Sequence, residues 1–219
     1  MTSKTAILFG ATGLIGSYVL QELLKDERYE RIILFSRKSL HTGSHKVIEI
    51  ITGFEDKEII ENHLYGDEIY CCLGTTIRKA GNQEAFRKVD YSLPLMIGVA
   101  AKKNGIRKML VVSSLGADAQ SSNFYLRTKG EMEQSLKSLS IPSLHFFRPS
   151  MLLGPRTESR PAETIGKIAM EAISFLFIGG LKKYKAIPAH TVAKAMISVA
   201  NAIQPDDVYE SDEIAFAVK

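Results

Sequence analysis

Residues Lys4–Gly16 read KTAILFGATGLIG, and the reading of this stretch decides the fold. Ala6–Phe9 form an unbroken apolar run, the pattern of a strand buried on both faces of a parallel sheet. Gly10, Gly13 and Gly16 follow at three-residue spacing, and Val19, Leu20, Leu23 and Leu24 then recur as on one helix face. A glycine at the strand exit permits a tight turn. The second lets backbone approach a pyrophosphate, and the third lets the helix pack closely on the sheet. Phosphates would sit on the free N–H groups of the helix N-terminus, around Thr12, Leu14 and Ile15. Three glycines alone also suit an ordinary βα turn. Their place between a hydrophobic strand and an amphipathic helix favours dinucleotide binding.

The end of the next strand indicates which dinucleotide. Arg31–Phe35 is apolar at its centre and runs into Ser36-Arg37-Lys38. A carboxylate there would bind the two ribose hydroxyls of NAD, whereas arginine accommodates a 2′-phosphate. No Asp or Glu occurs between Arg31 and Thr42, and two cations stand in that place. Arg37 can fork onto a phosphate and stack on adenine, which lysine does less well. NADP(H) is therefore expected ahead of NAD(H).

A chain of 219 residues with 45% hydrophobic and 24% charged residues is expected to form one domain with a proper core. The net charge of +4 is spread over positions such as Lys25, Lys57, Arg87 and Lys137. That scatter argues against a nucleic-acid partner, which needs a basic face. Lys182-Lys183-Tyr184-Lys185 reads as a solvated loop. The opening MTSK leads directly into the first strand without a signal-peptide pattern. The most apolar run, Ile168–Leu181, contains Glu171 and is too short to span a bilayer. The expectation is a cytoplasmic protein with no membrane association. Cys71 and Cys72 are adjacent in a strand pattern, so their side chains point to opposite faces. They read as packing residues with neither a disulfide nor a metal.

Strand patterns occur at Ala6–Phe9, Ile32–Phe35, Val47–Ile51, Glu68–Cys72, Lys108–Ser113, Ser143–Phe147 and Ile214–Val218. Helical patterns occur at Leu14–Lys25, Asp56–His63, Asn82–Lys103, Asn123–Leu139, Pro161–Phe177 and Thr191–Ala202, with a kink or break expected at Pro94. Such alternation predicts an α/β fold, a doubly wound parallel sheet of the Rossmann type with right-handed crossovers. Ligands bind beyond the carboxyl ends of the strands in these sheets. Function is therefore sought at Cys72–Thr76, Ser113–Asp118 and Arg148–Leu153.

Tyr125 and Lys129 form a Tyr-x-x-x-Lys pair. With eight tyrosines in the chain, about 0.7 such pairs are expected by chance, so the motif draws its weight from context. Tyr125 opens the helix after the fifth strand, Lys129 lies one turn further on the same face, and Ser113-Ser114 end that strand. A phenol with a pKa of about 10 exchanges protons poorly at neutral pH. A neighbouring ammonium, with a positively charged oxidised nicotinamide, favours the phenolate. A serine hydroxyl can hold a carbonyl against the phenol. These are the groups that hydride transfer to a carbonyl requires of the protein.

GATGLIG, the order Ser then Tyr-x-x-x-Lys, and Phe147-Arg148-Pro149 resemble the short-chain dehydrogenase/reductase superfamily, in its atypical, extended-like branch. CCLGTT at Cys71–Thr76, KAG at Lys79–Gly81, Val89-Asp90 and SSLGAD at Ser113–Asp118 resemble more closely the Tat-interacting-protein oxidoreductase subgroup. So do SSNFYLRTKGEME at Ser121–Glu133, FRPSMLLG at Phe147–Gly154 and RTESRPAE at Arg156–Glu163. The resemblance covers nearly the whole chain. It implies a Rossmann fold, NADP(H), and a catalytic triad of Ser114, Tyr125 and Lys129. Ser114 is preferred to Ser113 because that family places its serine just after the strand. The resemblance also implies that the lysine bonds the nicotinamide ribose. Leu73, Gly74, Thr75 and Thr76 would pass beside the cofactor, and Gly53 and Phe54 would border the adenine. Ser113, Pro149, Ser150 and Met151 would lie at the nicotinamide end.

The expected function is an NADPH-dependent oxidoreductase acting on a small carbonyl or alcohol substrate. The alternatives are an NADP(H)-binding regulatory protein with vestigial catalysis and a sugar-nucleotide epimerase-like enzyme. Extended members usually carry a longer C-terminal substrate domain, and here about 65 residues follow Gly154, which weakens the sugar-nucleotide reading. Residues 154–190 are expected to supply a small substrate-binding part. Its helix Ile165–Leu181 would act as a lid with Gly179-Gly180 as hinge. His190 reads as structural, and a homodimer is a possible assembly.

Overall fold

Alternate residues along each central strand serve different layers. In β1 (Lys4–Phe9), Ala6 and Leu8 join one apolar cluster while Ile7 and Phe9 join another, and in β2 (Tyr29–Ser36) Ile32 and Leu34 separate from Ile33 and Phe35 in the same way. Side chains on a strand point alternately to its two faces, so an all-apolar run requires both faces to be covered. α1 (Leu14–Lys25) covers the first face, and the helix Ala189–Ala200 packs beside it. The second face is covered by α2 (Lys57–His63) together with the helices Leu93–Lys103 and Phe124–Lys137. The computed structural model describes residues 3–54, 56–154, 179–202 and 208–218.

Five further strands complete the sheet: β3 (Val47–Ile51), β4 (Glu68–Cys71), β5 (Lys108–Val112), β6 (Ser143–Arg148) and β9 (Val208–Glu210). All pair in parallel, in the order β3-β2-β1-β4-β5-β6-β9. Chain order runs outward in both directions from the β1/β4 boundary, which makes this the switch point where the carboxyl ends open a crevice. A two-stranded parallel ribbon of β7 (Leu152–Leu153) and β8 (Ile187–Pro188) flanks that edge. The doubly wound α/β reading of the sequence is the observed fold.

Several boundaries differ from the sequence patterns. The expected strand Ile214–Val218 is instead the helix Ser211–Phe216, and the strand lies earlier, at β9. A reciprocal capping box between Glu210 and Glu213 starts a helix there and overrides the period-two apolar alternation. The expected helix Asn82–Lys103 is three pieces: α4 (Gln83–Arg87), a π-helical turn at Lys88–Ser92, and α5 (Leu93–Lys103). Pro94 lies in the first turn of α5, where its missing N–H costs nothing. The expected helix Pro161–Phe177 falls on residues outside those described, as does most of the expected lid.

At the opposite edge of the sheet, Glu68 is buried and accepts hydrogen bonds from the hydroxyls of Tyr29 and Tyr70, while Lys4 Nζ pairs with it at 3.2 Å. Asn201 joins this cluster through Tyr29 and Lys4. These bonds tie β1, β2, β4 and the C-terminal end of Ala189–Ala200 at the end remote from the crevice.

Gly16 sets the distance between α1 and the turn before it. A Cβ placed there would lie 2.1 Å from the Gly10 carbonyl oxygen, a backbone atom that has no room to withdraw. Gly16→Ala should therefore cost about 1–3 kcal/mol or more. Urea denaturation of both proteins checks this, and unchanged stability would show that the turn tolerates a wider helix.

Candidate active site

The crevice begins at the turn after β1. Gly10 has a φ of +85°, a backbone region that L side chains avoid. A Cβ there would meet the Cys72 carbonyl oxygen at 2.5 Å. Gly13 N donates to Gly10 O at 2.9 Å, and Gly13 caps α1 without any side-chain acceptor. The first N–H groups of α1, those of Leu14, Ile15 and Gly16, are thus left for an external acceptor. Gly16 itself packs behind the turn rather than into the crevice.

Two adjoining cavities, of about 530 and 680 Å³, lie along this edge. The first is walled by Gly10, Ser36, Arg37, Gly53 and Phe54 among others. Phe54 takes a φ of +66° and turns its ring inward to within 6.2 Å of the Phe9 ring. A left-handed phenylalanine costs about 1–2 kcal/mol of backbone energy, and here it provides an aromatic wall beside the exposed Arg37. Lys38 does not line the cavity. Its backbone carbonyl accepts from Ser36 Oγ at 2.7 Å.

The second cavity brings together Leu14, Ile15, Ser113, Ser114, Tyr125, Lys129, Pro149, Ser150 and Met151. Leu73, Gly74 and Thr75 line both cavities, and Thr76 lines the second. The two serines have different surroundings. Ser113 is buried and donates to Glu133, which Arg148 clamps through Nε at 2.9 Å and Nη2 at 2.6 Å. Ser114 is half-buried, and among the described residues its Oγ makes only a long 3.4 Å contact with the adjacent Leu115 carbonyl. A hydroxyl held this loosely remains available to a ligand, and that singles out Ser114. Tyr125 packs on the Phe86 ring at 5.5 Å.

Lys129 is 4% exposed and forms an ion pair with Asp90, itself 1% exposed, at 2.8 Å. Asp90 Oδ2 also accepts the Thr75 N–H at 2.9 Å. One carboxylate thus joins the turn after β4 to the helix that bears Tyr125 and Lys129. Asp90 reaches this point from the π-helical turn, a wide turn often found at functional sites. Gly74 lies beside the pair: a Cβ there would sit in ordinary contact with Asp90 Oδ1, at 3.5 Å. Burial pushes the Lys129 ammonium toward the neutral form, but the Asp90 charge and the Tyr125 phenol oppose it. The net effect holds Lys129 above its ordinary 10.5. Its folded value exceeds the unfolded one, so the ammonium stabilises the fold fully at neutral pH. That contribution is lost as pH rises through the folded value.

Sequence reasoning did not assign roles to Asp90, Glu133 or Arg148. Asp90 carried two signals: it belongs to the Val89-Asp90 pair of the family resemblance, and it precedes Leu93 and Ile97 by three and seven residues, the spacing of a buried helix face. Glu133 follows Lys129 by four residues and looks like a solvated pair. Only the tertiary structure turns it to Arg148. His190 stacks edge-on against Tyr18, with ring centroids 6.0 Å apart, and lines neither cavity.

A family model described as NAD(P)H-binding matches residues 10–202. This chain belongs to the NAD(P)H-binding family. Within the family, the rat protein HTATIP2 is 32% identical over 209 residues, covering 94% of this chain and 84% of the relative. Protein FMP52, mitochondrial, of Meyerozyma guilliermondii is 30% identical over 202 residues, covering 91% and 86%. These relatives put the chain in the HTATIP2-like subgroup. Among solved structures, the UDP-N-acetylglucosamine 4-epimerase of Bacillus cereus superposes with a TM-score of 0.70 at 16% identity, covering 98% of this chain and 84% of that one. MoeE5 in complex with UDP-glucose and NAD gives 0.68 at 16% identity, covering 97% and 79%. Both likenesses establish the Rossmann fold.

The expectation of a cytoplasmic protein is overturned, because the FMP52 relatives are mitochondrial by name. A cellular address is read by receptors from targeting segments, and the composition of a folded core carries no record of it. Among the described residues, no helix is long and apolar enough to cross a membrane.

Asp90→Asn keeps an acceptor for the Thr75 N–H but removes the counter-charge of a buried ammonium. It should cost about 3–5 kcal/mol at pH 7. Asp90→Asn/Lys129→Met, which removes both charges, should recover much of that loss. Urea denaturation of the single and double variants measures the coupling, and strictly additive losses would rule the pair out as a stabilising unit.

Proposed function

We propose that this protein is an NADPH-dependent oxidoreductase that reduces a small carbonyl substrate with Ser114, Tyr125 and Lys129. The observation that carries this reading is the convergence of those three side chains in one cavity with the uncapped N-terminus of α1. The crevice also suits a dinucleotide: Gly10, Gly13 and Gly74 line it with backbone that carries no side chain. In this reading the larger cavity takes the nicotinamide end and substrate, and the smaller takes the adenosine. The cofactor supplies a hydride to the carbonyl carbon when bound. Ser114 Oγ donates a hydrogen bond to the carbonyl oxygen, and the Tyr125 hydroxyl delivers its proton to that oxygen as charge develops. The Lys129 ammonium stabilises the phenolate that remains. Asp90 keeps that ammonium charged and in place.

Arg37 at the mouth of the smaller cavity, with no carboxylate on that strand end, supports NADP(H) over NAD(H). A lost charge-assisted contact is worth about 1.5–3 kcal/mol, or roughly 10- to 100-fold in affinity. Arg37→Ala should therefore weaken NADPH by that factor and leave NADH nearly unchanged in fluorescence titrations. Equal affinity of the wild type for the two cofactors would overturn the assignment.

Tyr125→Phe should bind NADPH as the wild type does and lose roughly 10²–10⁴-fold in turnover, the worth of a positioned general acid. The assay follows NADPH oxidation with a panel of small aldehydes and ketones. Undiminished turnover by Tyr125→Phe removes the tyrosine from the mechanism. A wild type that binds NADPH and turns over none of the panel favours a regulatory nucleotide-binding role.

A further inference from the structure

The two cavities meet at a zone where Thr12, Gly13, Gly74, Thr75 and Lys79 line both. Arg37 and Lys88 line only the smaller cavity, and Lys129 lines only the larger. Among the described residues, Lys79 is the one charged side chain shared by both. A dinucleotide carries its two phosphates between its nucleosides. If the adenosine fills one cavity and the nicotinamide riboside the other, the diphosphate must cross this zone.

The wall formed by the N-terminus of α1 offers N–H groups and roughly half a positive charge. A diphosphate brings about two negative charges, so the helix end alone leaves it undercompensated. We propose that Lys79 supplies the balance and acts as a diphosphate clamp facing α1. This rests on the dinucleotide reading above and assigns a role that discriminates neither NAD from NADP nor oxidised from reduced cofactor.

The local structure suits such a task. Lys79 stands on α3 (Ile77–Ala80), a single helical turn. Thr76 Oγ1 accepts the Lys79 N–H at 3.1 Å, and Thr76 O accepts from Ala80 N at 2.8 Å. Gly81, with a φ of +88°, closes the turn by donating to Ile77 O at 2.9 Å. The backbone beneath Lys79 is therefore fixed before any ligand arrives. The side chain itself is exposed, so a phosphate can reach it from solvent. An ammonium on a flexible stem suits a diphosphate, whose charge is spread over several oxygens, whereas a planar guanidinium suits the single terminal 2′-phosphate.

Fluorescence titration with NADPH and with NADH, for the wild type, Lys79→Ala and Lys79→Arg, tests the clamp. Adenosine 2′-monophosphate, which has no diphosphate, is titrated by calorimetry as the control. Lys79→Ala should weaken NADPH and NADH by the same factor, about 10- to 100-fold. The control nucleotide should bind Lys79→Ala as it binds the wild type, and Lys79→Arg should retain most of the dinucleotide affinity. A loss confined to NADPH would assign Lys79 to the 2′-phosphate and overturn the proposal. So would unchanged affinity for both dinucleotides, or an equal loss for the control nucleotide. A wild type that binds neither dinucleotide would fail at the earlier step and overturn the cofactor reading, with the clamp falling alongside it.

Discussion

The close passage of the first turn against the exit of β4 is the constraint on which the rest of the site depends. Gly10 lies so near the Cys72 carbonyl that no side chain fits between them. Gly16 holds α1 equally tight against the turn. Because both approaches are backbone to backbone, relaxation cannot absorb a larger residue, and the crevice width is set by main-chain geometry. The sheet order places this turn at the switch point, so the same closeness decides where a ligand enters.

A second constraint acts across the crevice. The Asp90 carboxylate holds the Thr75 N–H with one oxygen and the Lys129 ammonium with the other. It thereby couples the turn that lines both cavities to the helix that carries Tyr125 and Lys129. A buried ammonium without a partner is costly, so the pair must form together, and the π-helical turn gives Asp90 the reach to do so. Behind it, the Arg148–Glu133–Ser113 chain fixes the end of β5 and engages the Ser113 hydroxyl, whereas that of Ser114 is held only loosely. The site is thus supported by two ionic contacts, one beneath the lysine and one beneath the serine.

Much of this was legible in the order of residues. The glycine spacing, the all-apolar strands and the strand–helix alternation point to a doubly wound sheet because each has a local cause: positive φ, burial of both faces, and the 3.6-residue period. Tyr125, Lys129 and the Ser113-Ser114 pair were legible from their positions at the carboxyl edge, while the preference for Ser114 came from the family resemblance. The C-terminal strand was misread because Ile214, Phe216 and Val218 alternate as in a strand, while the capping box starting at Glu210 commits the same residues to a helix. The break in the long helix was anticipated at Pro94 but begins earlier, at the π-helical turn. No local signal marks that turn, because it is shaped by what Asp90 must reach.

The sequence by itself therefore determined the fold class and the glycine-rich turn after the first strand, since these follow from backbone chemistry and period within a few residues, and it placed Tyr125, Lys129 and the Ser113-Ser114 pair at the carboxyl edge. The tertiary structure decided which serine is free, which carboxylate faces Lys129 and which cation lies at the junction of the two cavities. The first two depend on contacts between residues 15 to 39 positions apart. They are settled by which charges are buried together, and no short window of sequence contains that information.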